Sequence, residues 1–183
     1  MRGRGFLAYN DLAKVYDKLF NEEQRAKHLL ALRLVGARHG AVLDLGCGTG
    51  LLGPLLRSEL LVGLDPCVPV LRKAKERGYD AVRGVGELLP FRSECFDAVF
   101  SFTVIHENPA MAGEATRVSR SLVVVSVLRK VAEEVLPVVL CTLESWGSIE
   151  VVDEEGVKDV VVIARRRAGK GGAHQRGDAG PSR

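Results

Sequence analysis

The stretch VLDLGCGTG, Val42 to Gly50, decides how the chain is read. It is an apolar strand that runs into Gly46, Gly48 and Gly50, with Leu51 opening what reads as a helix near residues 50–57. Glycines there allow a tight turn and let a ligand lie against bare backbone near helix N–H groups. A dinucleotide fingerprint would place a third Gly or Ala at position 51, where this chain has Leu. Asp44, inside the strand end, is also no help to a pyrophosphate. Both points argue against a nicotinamide or flavin dinucleotide. Nineteen residues after Gly46, the stretch LVGLDPC brings Asp65 to the tip of the next strand. A carboxylate at that place can accept from both hydroxyls of a ribose.

Outward from this stretch, short apolar runs alternate with helical ones. Strands are expected at 41–45, 60–64, 80–83, 98–102 and 122–128, and helices near 68–77, 109–119 and 130–144. Gly78 should end the first of these helices, and Pro137 should kink or restart the last. Runs that are continuously apolar belong to a parallel sheet covered on both faces. SIEVV and VKDVVVIA, separated by DEEG, read as a hairpin. The expected fold is α/β: a doubly wound, Rossmann-like, seven-stranded and mostly parallel sheet with an antiparallel last strand. Its ligand should sit at the carboxyl ends of the strands. Before the sheet, Leu12, Val15, Leu19, Leu29, Leu30 and Leu32 recur at helical spacing, which predicts two helices near 9–20 and 22–35, with Asn10 or Asn21 as caps. The chain therefore divides into a helical N-terminal lid at 1–38, a core at 39–164 and a disordered basic tail at 165–183.

Composition excludes several classes. A chain of 183 residues is one ordinary domain, and 46% hydrophobic with 27% charged residues is a globular balance. No apolar run approaches the roughly 20 residues needed to span a bilayer, and the N-terminus has no secretory pattern. Residues 165–183 hold six basic groups against Asp178, a local charge of +5, which leaves the other 164 residues at −2 within a net +3. That body lacks the broad basic surface of a dedicated nucleic-acid module, although the tail alone could add salt-sensitive attraction to phosphate. Cys47, Cys67, Cys95 and Cys141 show no Cys-x-x-Cys spacing and the four histidines complete no set, so no metal is expected and the thiols read as free in a reducing cytoplasm. Trp146 reads as packing at a helix end.

At these residues the chain resembles the class I S-adenosylmethionine-dependent methyltransferases, in particular the type 11 group, over about Tyr9 to Ala164. VLDLGCGTG is similar to that family's glycine-rich motif, LVGLDP to its ribose-binding strand, and GVGELLPFRSECFDAVFSFTVIHE to its third-strand loop and fourth strand. AYNDLAKVYD resembles its cofactor lid. The resemblance implies that Asp44, Gly46, Cys47, Gly48 and Gly50 border the methionine part of S-adenosyl-L-methionine. It implies that Asp65 holds the ribose, Pro66 packs near the adenine, and Tyr16 lies in the lid near the methionine carboxylate. Gly86, Glu87 and Leu88 would border the adenine. Where relatives commonly read Gly-Asp-Ala, this chain has Gly84-Val85-Gly86, which removes one adenine contact that Glu87 could replace. SFTVIHEN, Ser101 to Asn108, lies where an acceptor would meet the methyl group and lacks the Asn/Asp-Pro-Pro-aromatic motif of amide and adenine amine methylation. His106 is the candidate general base there. The expected function is methyl transfer to an oxygen or nitrogen acceptor, small molecule or RNA, with an activating partner subunit a further expectation. The rival reading is a non-catalytic cofactor-binding regulatory protein.

Overall fold

The computed structural model describes residues 16–167, with side chains from residue 22 onward. The tail and the segment before Tyr16 lie outside the described residues. A helix, α1 (Tyr16–Val35), leads into β1 (Arg38–Leu45), β2 (Arg57–Asp65), α2 (Val68–Glu76), β3 (Asp80–Arg83) and β4 (Phe96–Phe102). Next come α3 (Met111–Val118), β5 (Ser119–Leu128), α4 (Ala132–Trp146) and a hairpin of β6 (Gly147–Val152) and β7 (Asp159–Arg166). The seven strands lie in the order β3-β2-β1-β4-β5-β7-β6. All neighbours pair in parallel except β7, which is antiparallel to both β5 and β6.

The central stretches of β1, β4, β5 and β7 are apolar on both faces because successive side chains enter opposite cores. Leu43 and Leu45 of β1, Val99 of β4, and Val123 and Val125 of β5 pack under α3 and α4. Val42, Ala98, Phe100, Leu122 and Val124 face the other way, against Leu30, Ala31 and Leu32 of α1. Each fully buried Leu or Phe of this kind contributes about 1.5–3 kcal/mol over exposure.

Three expectations are corrected. The helix near 50–57 shrinks to a single 3₁₀ turn, Gly53–Leu55. Gly53 and Pro54 favour a turn there, and β2 already begins at Arg57, so the connection has no length for a helix. The two N-terminal helices are, over the described part, one helix that passes unbroken through Asn21. Pro137 does not restart the helix: α4 is continuous through it, with Pro137 on its exposed face while Val135, Val139 and Leu143 are buried. Gly78 comes after the end of α2 with a left-handed φ of 89°, as expected of a glycine at that place.

Candidate active site

The carboxyl ends of β1, β2 and β4 converge, and the segments beyond them form the site. The turn after β1 is tied to β2 by Gly46 and Cys47, whose N–H groups both donate to the carbonyl of Leu64 at 2.8 and 3.1 Å. Its three glycines have φ of 76°, 52° and 80° but serve different needs. A Cβ on Gly46 would lie 2.5 Å from Val104 Cγ2, and one on Gly50 2.8 Å from the ring of Tyr79. A Cβ on Gly48 would meet nothing within 4 Å. Two of the glycines are therefore packed upon, and Gly48 alone turns a bare backbone toward open space.

Asp65 locks this turn from the side. Its Oδ2 accepts from Gly48 N at 3.0 Å and its Oδ1 from Cys67 N at 2.8 Å. Burial raises its pKa, the two N–H donors work against that, and the charge of Glu107 raises it further. Asp44 is buried at the end of β1, where Tyr79 donates its hydroxyl to Oδ2 at 2.7 Å. Desolvation pushes Asp44 up to about 7, with the Tyr79 hydrogen bond opposing and Asp65 reinforcing the rise. Burial drives the thiol of Cys47 upward, as do Asp44 and Asp65, so it stays protonated and packs as a small side chain.

Between the turn and α1 lies a cavity of about 30 Å³, lined by Gln24, His28, Asp44, Gly48, Thr49 and Phe102, among others. Gln24, Lys27 and His28 stand on one face of α1 and are all buried, an arrangement that costs free energy unless the groups find partners. His28 sits edge-on to Phe102, with ring centroids 4.6 Å apart, and its buried Nδ1 has no hydrogen-bond partner among the described residues. Desolvation, then the charge of Lys27, lowers its pKa to about 3, with Asp159 opposing, so its imidazole is neutral. The open face of Gly48, the unpartnered Nδ1 of His28 and the buried Asp44 carboxyl together form a small polar cradle.

The residues expected to act together fall into two groups. Asp44, Cys47 and Gly48 line the cavity. Asp65 and Pro66 stand at the rim, where Gly84 N donates to the Asp65 carbonyl at 3.3 Å and so starts the β3–β4 loop beside them. In that loop Gly86 is buried, with no room for a Cβ against Met111, whereas Glu87 is exposed and Leu88 is 76% exposed. Tyr16 opens α1, and its side chain is outside the description. His106 is half-buried with its Nδ1 unpartnered among the described residues, and it does not line the cavity. Sequence reading missed His28, Gln24 and Tyr79. The first two carried a signal, polar residues at i and i+4 in an otherwise apolar helical stripe. Tyr79 carried none, because only the fold brings Gly50, Gly53 and Gly63 against its ring. Among the described residues there is no cluster that could hold a metal ion, and no helix is long and apolar enough to cross a membrane.

A model of the methyltransferase domain matches residues 43–125, which span β1 to β5. The chain is 36% identical over 103 residues to a malonyl-[acyl-carrier protein] O-methyltransferase of Herminiimonas arsenicoxydans, covering 54% of this chain and 40% of that one. It is 42% identical over 65 residues to a human probable tRNA methyltransferase 9B, covering 36% of this chain and 14% of the relative. The chain thus spans less than half the length of either. Among solved structures, an S-adenosylmethionine-dependent methyltransferase of Thermotoga maritima superposes with a TM-score of 0.69 at 16% identity, over 87% of this chain and 98% of that one. A Haloferax volcanii putative methyltransferase, solved in complex with its Trm112 activator, gives 0.65 at 14% identity over 87% and 98%. A glycine turn and an acid-tipped β2 within this strand order, together with that match over residues 43–125, make the chain similar to the class I S-adenosylmethionine-dependent methyltransferases, the type 11 group among them.

Proposed function

We propose that the chain transfers a methyl group from S-adenosylmethionine to an oxygen or nitrogen acceptor, a small molecule or an RNA. The observation that carries this reading is the polar cavity between the open face of Gly48 and α1, beside the Asp65 carboxylate. The cofactor supplies an electrophilic methyl on a sulfonium. Asp65, with lone pairs to spare beyond its two backbone donors, accepts from the ribose hydroxyls. Asp44 and the neutral His28 face the positively charged methionine end, and Asp44 gains charge there. Pro66, Gly86, Glu87 and the exposed Leu88 border the adenine, and α1 covers the site. His106 takes the acceptor's proton, while positioning supplies most of the rate.

The relatives support both acceptor classes, one being named for an O-methylation and the other for tRNA. The neighbour in complex with an activator supports a partner subunit here too. The test is methyl transfer from labelled S-adenosylmethionine into a cell extract separated into RNA, protein and small-molecule fractions. Label in the RNA or small-molecule fraction is expected and names the acceptor class. No label in any fraction, with cofactor binding verified by calorimetry and an activator added, would overturn catalysis in favour of a regulatory binding protein.

A further inference from the structure

Four elements meet at one buried point that plays no part in cofactor binding or methyl transfer as proposed. Lys27 Nζ of α1 lies 2.8 Å from Asp159 Oδ1 at the start of β7, and both side chains are wholly inaccessible to solvent. Lys27 also donates to the hydroxyl of Thr103. That hydroxyl donates in turn to Asp159 Oδ2 at 3.0 Å, and Ser126 of β5 donates to the same oxygen at 2.6 Å. Ser126 Oγ then accepts from the backbone N–H of Thr103 at 3.0 Å. The Thr103 and Ser126 hydroxyls each donate once and accept once, so the network closes on itself.

Thr103 is the first residue beyond β4 and has a φ of 59°, a conformation a β-branched side chain adopts only under constraint. The course of the loop beyond it depends on that turn. Val104 packs against Gly46, the Val104 carbonyl accepts from Glu107 N at 2.9 Å, and His106 lies between them. We propose that Lys27, acting through Thr103, is a positioning residue for the loop of residues 103–108. The ion pair and the two hydroxyls hold Thr103 left-handed, which seats Val104 on the cofactor turn and sets His106 and Glu107 at the acceptor rim. Because the cation comes from α1, the loop is in place only while that helix is docked. The assignment rests on the methyltransferase reading for its role in catalysis, but not for its structural content.

Thr103→Val tests it, since it removes the hydroxyl and leaves the Lys27–Asp159 pair and the docking of α1 intact, while Thr103→Ser restores the hydroxyl. The expected result by hydrogen exchange is at least tenfold faster exchange at the amides of residues 104–107 in Thr103→Val, with β4 and β5 unchanged and Thr103→Ser close to wild type. Calorimetry with S-adenosylhomocysteine should show affinities within about twofold in all three proteins. Methyl transfer into the labelled extract fraction should fall tenfold or more in Thr103→Val and recover in Thr103→Ser. Unchanged loop exchange in Thr103→Val would overturn the proposal, as would equal loss of exchange protection throughout β4 and β5, which would mark a general structural role. If wild-type protein labels nothing, methyl transfer fails as the reading, while the exchange comparison still decides the positioning of the loop.

Discussion

Three alternate glycines look equivalent on paper, yet the surroundings of each side chain separate them. Gly50 is closed by the Tyr79 ring, so Gly50→Ala adds a steric clash to the roughly 1–2 kcal/mol cost of a left-handed alanine. Gly48→Ala bears only the conformational cost, because its methyl would enter open space. The expected outcome is a clear fall in melting temperature for Gly50→Ala with a smaller one for Gly48→Ala. Cofactor affinity measured by calorimetry should nonetheless drop at least tenfold in Gly48→Ala, where the methyl fills the ligand's face of the turn. Equal stability losses with full affinity in Gly48→Ala would show that nothing lies against that backbone.

At the scale of elements, α4 shows packing overriding local preference. Pro137 stands in the sixth position of the helix, where its missing N–H deprives the carbonyl of Glu133 of its i→i−4 donor. The helix survives because Val135, Val139 and Leu143 are buried on its other side. Pro137→Ala should restore that hydrogen bond and raise stability by about 1–3 kcal/mol in urea unfolding, with no change in the strand core. A destabilised variant would mean that the ring itself makes a contact that matters. α1 shows the opposite balance. It gives Gln24, Lys27 and His28 to the interior, where aliphatic residues would be more stable, and this helix forms one wall of the cavity.

Over the whole molecule, two buried groups tilt stability with pH in opposite senses. Asp44 titrates near 7 when folded and near 3.8 when unfolded, so the native state holds the extra proton between those values and stability falls as pH rises through them. His28 titrates near 3 when folded and near 6.5 when unfolded, so the unfolded state holds the proton and stability rises with pH over that range. Each slope is about 1.4 kcal/mol per pH unit, and between roughly pH 4 and 6.5 they cancel. His28→Gln removes one of them. Relative to wild type, this variant should gain stability steadily as pH is lowered from 6.5 to 4, measured by urea unfolding at several pH values. A difference that does not move with pH would show that His28 is not held neutral in the folded state.

The apolar periodicity, the three glycines and the acid nineteen residues on were enough to determine the sheet, its hairpin and the end of the strands where the site lies. Those features are local, because one strand period or one left-handed turn needs only its own residues. Contacts across long loops decided the rest. Tyr79 became the floor of the glycine turn only when β3 was laid beside β2, and the expected helix after Gly50 gave way because β2 had to start at Arg57. Lys27 and Asp159 are 132 positions apart and meet because β7 inserts antiparallel between β5 and β6. Partners for buried charge are chosen by three-dimensional proximity in a medium of low dielectric, and such proximity leaves no periodic trace along the chain.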